Sequence, residues 1–278
     1  IARDEDIYQN FEEFKPFLDG QSTFLWGETY YLRYYFLREE IKKLLINKYH
    51  NLDSTMKSNI NIYSLTTSPI SGYNFDLYDL NEQRWDFDFA TSFLNPKING
   101  NEISNIERRE IFLDDYPPTK LYSLTELEVQ IADGLVGNYD VTQKEIANQL
   151  GIHAPNLSTI KTNLLTDKII GPQLMVNTFL PLNPVLRVTA DNKEIIDRIV
   201  TLFQKIPYSN VSPVRSITEP DKYQIIIIAI MDDILYSSLV TFLMDLLKTK
   251  KIDDFRIGLT VDQYFGMSKV KDILNANL

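Results

Sequence analysis

Residues 223–231 read YQIIIIAIM, and this stretch decides how the C-terminal third of the chain must fold. A strand with helices on one side and water on the other alternates apolar and polar side chains. In this stretch the odd-numbered and the even-numbered side chains of the predicted strand are both apolar: Ile225, Ile227 and Ala229 on one face, and Ile226, Ile228 and Ile230 on the other. We therefore expect both faces to be covered, the second by a sheet from another domain or another chain.

Five further elements surround this strand. Apolar periodicity predicts three strands and two helices, at residues 184–190, 211–218 and 255–261 and at residues 191–206 and 232–248. With the strand at 223–231, the order is strand, helix, strand, strand, helix, strand, which is that of a ferredoxin-like domain. We predict this domain over residues 181–278, with a C-terminal helix.

The middle third has the spacing of a helix-turn-helix. Residues 141–165 read VTQKEIANQLGIHAPNLSTIKTNLL, in which Thr142 and Glu145 form a capping box that opens a short helix. Two helices that cross at about 90–120° need a small residue at their contact and a permissive turn. Ala147 and Gly151 supply these, and Leu157 is the buried aliphatic residue of the following helix, which begins near His153.

Flanking segments complete a winged helix-turn-helix over residues 121–180. A second capping box, predicted from Ser123 and Glu126, opens a helix whose inner face carries Leu127 and Ile131. Residues 169–176, IIGPQLMV, are typical of a strand, a turn and a strand, which predicts the wing.

The outward residues of this unit are the candidate DNA-reading residues, because the second helix of such a motif enters the major groove. They are Thr142, Gln143, His153, Ala154, Asn156, Ser158, Thr159, Lys161, Thr162 and Asn163. Asn pairs well with adenine, and Ser or Thr pairs with several base edges. For His153 the alternative role is a helix cap.

The N-terminal third, residues 1–120, shows the same strand-then-helix pattern. Residues 28–52 contain a strand that is apolar on both faces and then an amphipathic helix, and three further short strands follow up to residue 90. We interpret residues 28–90 as a diverged second ferredoxin-like module, with an unrelated α/β domain as the alternative. Residues 91–120 are predicted to be a linker with a short helix. The predicted fold class is α+β, a winged helix-turn-helix flanked by ferredoxin-like domains.

Composition excludes several functions. The chain has 278 residues, no cysteine and two histidines, so thiol chemistry and thiolate metal sites are excluded and no metal site is expected. No apolar run is long enough to span a membrane, and the first residues are not a signal peptide, so we expect a cytoplasmic protein without a membrane partner. The pairs Asp232-Asp233 and Asp253-Asp254 begin predicted elements, where helix capping or solvation explains them. We expect no enzyme activity and no cofactor.

Charge argues against tight DNA binding by a single copy. Acids exceed bases by seven up to Lys120 and by three in residues 121–180, and the remainder is balanced, which gives the net charge of −10. Phosphate contacts are usually made by Lys and Arg, and the predicted reading helix offers only Lys161.

The middle and C-terminal thirds resemble the Lrp/AsnC family of bacterial and archaeal transcription regulators. Residues 123–176 resemble its winged helix-turn-helix, including the hydrophobic pair Ile169-Ile170, and residues 184–261 resemble its ferredoxin-like effector and assembly domain. The resemblance implies a sequence-specific regulator that binds double-stranded DNA as a dimer or pseudo-dimer, in an archaeal two-module variant. The reading helix lacks the family's arginines, and Pro220 stands where the family often has glycine. The second departure leaves a small-molecule effector without support.

Two alternatives stay open. The winged helix could bind another protein, with stacked sheets and without DNA. A neutral or positive rim around the third helix favours DNA, and a continuous negative rim favours protein. Sheet stacking could occur within the chain or by self-association. A pseudo-dimer would place a second winged helix upstream of Ile1.

Overall fold

The computed structural model describes residues 1–3, 5–26, 28–35, 39–67, 70–72, 77–79, 81–82, 84–94, 124–135, 142–166, 182–206 and 208–265. Within these ranges the chain is a mixed helix-and-sheet protein with one large antiparallel sheet. None of the helices described there has both the length and the apolar character that crossing a bilayer requires.

Nine helical segments are described. They are a 3-10 segment, Glu5–Phe17, and the helices α1 (Glu39–Asn51), α2 (Ser54–Ser58), α3 (Phe89–Leu94), α4 (Glu126–Leu135), α5 (Gln143–Leu150), α6 (Ala154–Thr166), α7 (Lys193–Phe203) and α8 (Asp233–Lys248).

Ten strands are described. They are β1 (Leu18–Trp26), β2 (Glu28–Tyr35), β3 (Tyr63–Leu65), β4 (Ile70–Gly72), β5 (Tyr78–Asp79), β6 (Arg84–Trp85), β7 (Pro184–Ala190), β8 (Ser209–Ser216), β9 (Tyr223–Ala229) and β10 (Asp254–Phe265).

Eight of the strands form a single sheet. Its order is β2-β1-β10-β7-β9-β8-β3, with β4 also paired to β8, while β5 and β6 form a separate two-stranded sheet. The last six elements follow the predicted order, and their four strands lie as β10-β7-β9-β8. β10 is longer than predicted because its second half pairs with β1, from Leu25↔Leu259 to Gly20↔Phe265.

Both faces of β9 are covered, as the sequence predicts. Ile225 and Ile227 are fully buried in a core formed with α7 and α8. Ile226, 5% exposed, lies on the opposite face and packs in a second cluster with Phe24 and Tyr30 of β1 and β2. The cover is therefore the far end of the same curled sheet, and no second sheet is needed.

Residues 1–3 join the two ends of this curl. Ala2 exchanges backbone hydrogen bonds with Tyr31 of β2, at N–O distances of 2.8 and 2.7 Å. On its other side, the Asn61 amide donates to the Ile1 carbonyl at 2.8 Å, and Arg3 donates to Asn59 at 3.1 Å. Residues 59–62 lead directly into β3, so the sheet closes on itself through this short bridge.

The strands described in residues 28–90 do not form the sheet of the predicted second ferredoxin-like module. β2 pairs with β1, whereas β3 and β4 pair with β8 at the opposite end of the sheet. The apolar pattern identifies the face on which a side chain lies, but it does not identify the strand with which its own strand pairs. The predicted linker begins with the end of α3, and residues 95–120 lie outside the described residues. The same holds for the predicted C-terminal helix.

Candidate nucleic-acid interface

Helices α4, α5 and α6 pack around a small core of their own. Its centre consists of buried side chains from all three helices, namely Val129, Ile131, Ala132, Ile146, Ala147, Leu157 and Leu164. Ile131 and Leu157 are fully buried, and Leu150, Ile152 and Ile160 are partly buried at the edge of this cluster. Leu165, near the end of α6, is 37% exposed.

Gly151 makes the turn between α5 and α6. Its φ of 64° and ψ of 30° lie in the left-handed region, which favours glycine. The amide of Ile152 donates to the Ala147 carbonyl at 3.0 Å, so the chain reverses within one residue of the helix end. The turn is therefore at the position that the spacing predicts.

Capping boxes fix the beginnings of α4 and α5. The Thr142 amide donates to Glu145 Oε2 at 2.7 Å, and the Glu145 amide donates to Thr142 Oγ1 at 3.3 Å. These bonds lower the pKa of Glu145, first through the Thr142 amide and then through its hydroxyl. The box of α4 uses Thr125 and Glu128 in the same geometry, two residues after the predicted pair. Ser123 lies outside the described residues.

The outward face of α6 is a row of small polar side chains. Asn156, Ser158, Thr159, Thr162 and Asn163 are exposed, as are His153 and Ala154 before and at its first turn. Thr159 donates its hydroxyl to the Pro155 carbonyl at 3.1 Å, and Thr162 donates to the Ser158 carbonyl at 2.9 Å. Each hydroxyl oxygen thus faces outward with acceptor lone pairs only.

Lys161 is not part of this outward row. It is only half-exposed and stands four residues after Leu157, so it borders the buried side of the helix. The expectation that Lys161 shares one exposed face with Asn156 is therefore wrong, because a helix places these two residues on opposite flanks. The most outward positions are Thr159 and Thr162.

The two candidate DNA-reading residues at the start of α5, Thr142 and Gln143, differ in whether their side chains are available to contact DNA. Gln143 is exposed in the first turn, whereas the Thr142 hydroxyl contacts Glu145 Oε2 at 2.8 Å and serves the cap. His153 immediately precedes α6, and its carbonyl accepts the Asn156 amide at 2.9 Å. The position of His153 is thus that of a cap residue, while its side chain is exposed.

Helix α6 itself carries little charge. Residues 154–166 contain no acid and one base, Lys161. Two acids of the neighbouring helices, Glu128 and Glu145, are bound to their own capping residues. A continuous negative rim is therefore not formed by α6 itself. The predicted wing at residues 169–176 lies outside the described residues.

The carboxylate pairs have structural partners. Asp232 caps α8, because its Oδ1 accepts the Leu235 amide at 2.7 Å. Asp253 binds Lys222 at 2.8 Å, and Asp254 binds Arg187 at 2.5 Å. Within the described ranges no three His, Asp or Glu side chains are grouped so that they could hold a metal ion.

Comparisons with known proteins find little. No family model matches the chain, and no curated protein matches it. Among solved structures, the chain is similar to a transcriptional regulator from Neisseria meningitidis in complex with L-methionine. The two share 14% sequence identity and a TM-score of 0.39 over 50% of this chain and 90% of the other. At this TM-score the likeness carries no argument about fold or function.

Proposed function

We propose that the protein is a sequence-specific DNA-binding transcription regulator that works as a dimer or larger assembly. The observation that carries the proposal is the turn between α5 and α6, where Gly151 is left-handed and both Ala147 and Leu157 are buried. This arrangement belongs to helix-turn-helix proteins, in which the second helix enters the major groove. Residues 121–180 would then form a winged helix-turn-helix domain.

The sheet domain supports the same proposal. The four strands of residues 184–265 have the order β10-β7-β9-β8, with α7 and α8 in one core on one face. This is the strand order of a ferredoxin-like fold, and we assign it to residues 181–278. In an Lrp/AsnC-like regulator, such a domain mediates the assembly of the subunits.

The recognition chemistry follows from the outward threonines. Because the hydroxyls of Thr159 and Thr162 are donated to backbone carbonyls, their oxygens accept hydrogen bonds. The acceptor's partners in the major groove are the amino groups of adenine and cytosine. Asn156 and Asn163 add bidentate pairing with adenine.

Affinity must come from more than one unit. A single α6 offers one lysine, so few counterions are released per copy and the salt dependence should be shallow. Two units at fixed spacing raise the effective concentration of the second contact without new charges.

The second candidate function is protein binding by the same helix. It is favoured by the half-buried position of Lys161 and by the absence of arginine from residues 154–166. In this case the outward row of α6 contacts a protein surface, and nucleic acid is not bound.

DNA selection separates the two functions. The full chain is incubated with a random double-stranded DNA pool at several salt concentrations, and bound sequences are recovered. We expect an enriched motif whose binding is lost in the Thr159→Val, Thr162→Val variant, since valine keeps the shape and removes the acceptors. The loss should be about 10-fold or more per base contact.

The matched control is Thr241→Val on α8. Its hydroxyl makes the same bond to the carbonyl four residues earlier, at 3.0 Å, and it is exposed. This variant should bind DNA like the parent. A pool without enrichment at any salt concentration, from a folded protein, would overturn the DNA proposal and favour the protein-binding function.

A further inference from the structure

A group of basic side chains lies at the C-terminal end of α8. Residues 248–251 read KTKK, which is three bases in four residues of a chain whose net charge is −10. Arg198 of α7 joins them, because Arg198 and Lys251 both lie over the ring of Phe93, at 6.0 and 5.5 Å from its centroid. All four basic side chains are exposed, and we call them the basic patch: Arg198, Lys248, Lys250 and Lys251.

Phe93 holds two of these cations in place. Its ring is buried and packs against Phe242 of α8, with the ring centroids 5.3 Å apart. The face of an aromatic ring attracts a cation, and Arg198 is also bound to Glu194 at 2.7 Å. The fixed ring therefore keeps two like charges, those of Arg198 and Lys251, on the same part of the surface.

Nearby acids offset only part of this charge. Glu194 is bound to Arg198, and Asp245 lies 3.7 Å from Lys248. Lys250 and Lys251 form no ion pair with any residue that the structure describes. Their two positive charges remain after the other two bases are paired, so the patch attracts anions.

Lys250 has a backbone conformation that favours glycine. Its φ is 53°, and it is the one non-glycine residue with a positive φ among the described residues. The Lys250 amide donates to the Leu247 carbonyl at 3.0 Å and the Lys251 amide donates to the Leu246 carbonyl at 2.9 Å, a helix ending at which glycine is usual. The helix dipole favours a base in the last turn, where Lys248 lies, but Lys250 comes after that turn. Local structure alone therefore favours glycine at position 250, and a role for its charge explains the lysine.

We propose that the basic patch binds the phosphate backbone of double-stranded DNA. Exposed lysines that neutralise phosphates release counterions, which raises affinity without reading the sequence. The inference rests on the proposed DNA binding and adds what α6 lacks, since Lys161 is the one base of that helix. An anionic membrane surface also attracts lysines, but the three-helix unit with the exposed polar row of α6 favours DNA.

The salt dependence of DNA binding by the full chain tests the patch. Fluorescence anisotropy measures the affinity for the selected DNA motif and for a duplex of scrambled sequence, between about 50 and 200 mM salt. We expect the Lys250→Gln, Lys251→Gln variant to lose about 10-fold or more in affinity for both duplexes at about 100 mM salt. Its slope of log affinity against log salt should be shallower by about 2, because two phosphate contacts are lost and each contributes about 0.9.

Lys250→Gly separates the charge of this residue from its local structure. Glycine adopts the left-handed conformation freely, so the variant should be at least as stable as the parent. If Lys250 had only a structural role, the glycine variant would bind DNA like the parent. We expect instead a salt slope that is shallower by about 1, with the same affinity loss for both duplexes. This variant still decides if the double variant fails to fold.

The matched control is the Lys15→Gln, Lys43→Gln variant. It removes the same two charges from exposed lysines outside the patch, so its salt slope should equal that of the parent. If DNA selection enriches no motif but only the patch variants lose affinity for the scrambled duplex, the regulator function fails and the basic patch stands.

A specific motif that both patch variants bind with the parent's salt slope would overturn the inference. Absence of duplex binding at the lowest salt concentration would overturn it as well. If vesicles that contain phosphatidylserine are then bound in a manner that depends on Lys250 and Lys251, the patch contacts a membrane and not DNA.

Discussion

At the scale of a single residue, Gly151 is required for its backbone conformation and not for close packing. A Cβ added there would meet nothing within 4 Å. The requirement for glycine is therefore the positive φ of 64° and not lack of space. L-residues other than Asn and Asp avoid this conformation.

We predict that Gly151→Ala lowers the free energy of unfolding of the three-helix unit by about 1–2 kcal/mol. Gly151→Asn should be milder, because asparagine tolerates the left-handed region. Urea unfolding followed by circular dichroism measures both.

Gly134→Ala is the matched control for this prediction. Gly134 lies inside α4 with ordinary backbone angles, and an added Cβ would be 3.4 Å from Ile146 Cγ2. Alanine is favoured over glycine within a helix, so this change should leave stability equal or raise it. Equal effects at both positions would show that the turn has no special requirement.

At the scale of an element, α5 is defined by its capping box. The lowered pKa of Glu145 means that the folded state favours the carboxylate. The stability from this group is present above the ordinary glutamate pKa and is lost as the pH falls through the lowered folded value.

We predict that Thr142→Ala destabilises α5 by about 1 kcal/mol at neutral pH. The difference from the parent should shrink as the pH falls through the lowered pKa of Glu145, because protonation weakens the hydrogen bonds that its carboxylate accepts from Thr142. Unfolding curves measured from about pH 3 to 7 test whether the stability difference between the variant and the parent shrinks on acidification. A difference that grows on acidification would contradict the assignment.

The helical elements also show what local sequence predicts. Gly151, Ala147 and Leu157 were identified from spacing because their interactions lie within a few residues of each other. The capping box of α4 lies at Thr125 and not at the predicted Ser123, since both residues precede a glutamate by three positions and the sequence alone does not distinguish them. The partial burial of Lys161 could not be predicted from α6 alone. The core lies between three helices, and their arrangement decides which flank of α6 is covered.

At the scale of the whole molecule, one sheet connects the first and last thirds of the chain. The sequence predicted that both faces of β9 are buried, but it assigned the cover to a separate sheet, because the pairing partners in β1 and β10 lie about 240 residues apart, from Leu25↔Leu259 to Gly20↔Phe265. β1 itself was missed, since LDGQSTFLW lacks regular alternation. The ion pair between Arg187 and Asp254 could not be predicted, because the two residues are known to share a face only once the register of β7 and β10 is known.

We predict that Phe24→Ala destabilises the whole sheet. Phe24 is fully buried in the cluster with Tyr30 and Ile226, and the change should cost about 3–5 kcal/mol. Trp85, which packs in the core on the other side of the sheet, reports the transition by fluorescence in a Trp26→Phe background. Its denaturation midpoint should fall.

Val261→Ala is the control. Val261 of β10 is 63% exposed, so its truncation should leave the denaturation midpoint unchanged. If Phe24→Ala left the Trp85 midpoint unchanged, the N-terminal and C-terminal strands would unfold separately, and a single cooperative sheet would be ruled out.

The bridge through Ala2 also bears on solubility. An open sheet presents two rows of unsatisfied amides and carbonyls, to which another chain can add as a strand. Here Ala2 occupies hydrogen-bonding groups of β2 at Tyr31 and stands next to Ile60 on its other side. A few residues thus protect two sheet edges from pairing with a strand of another chain. Ala2, whose side chain is a single methyl group, therefore protects these positions through its backbone alone.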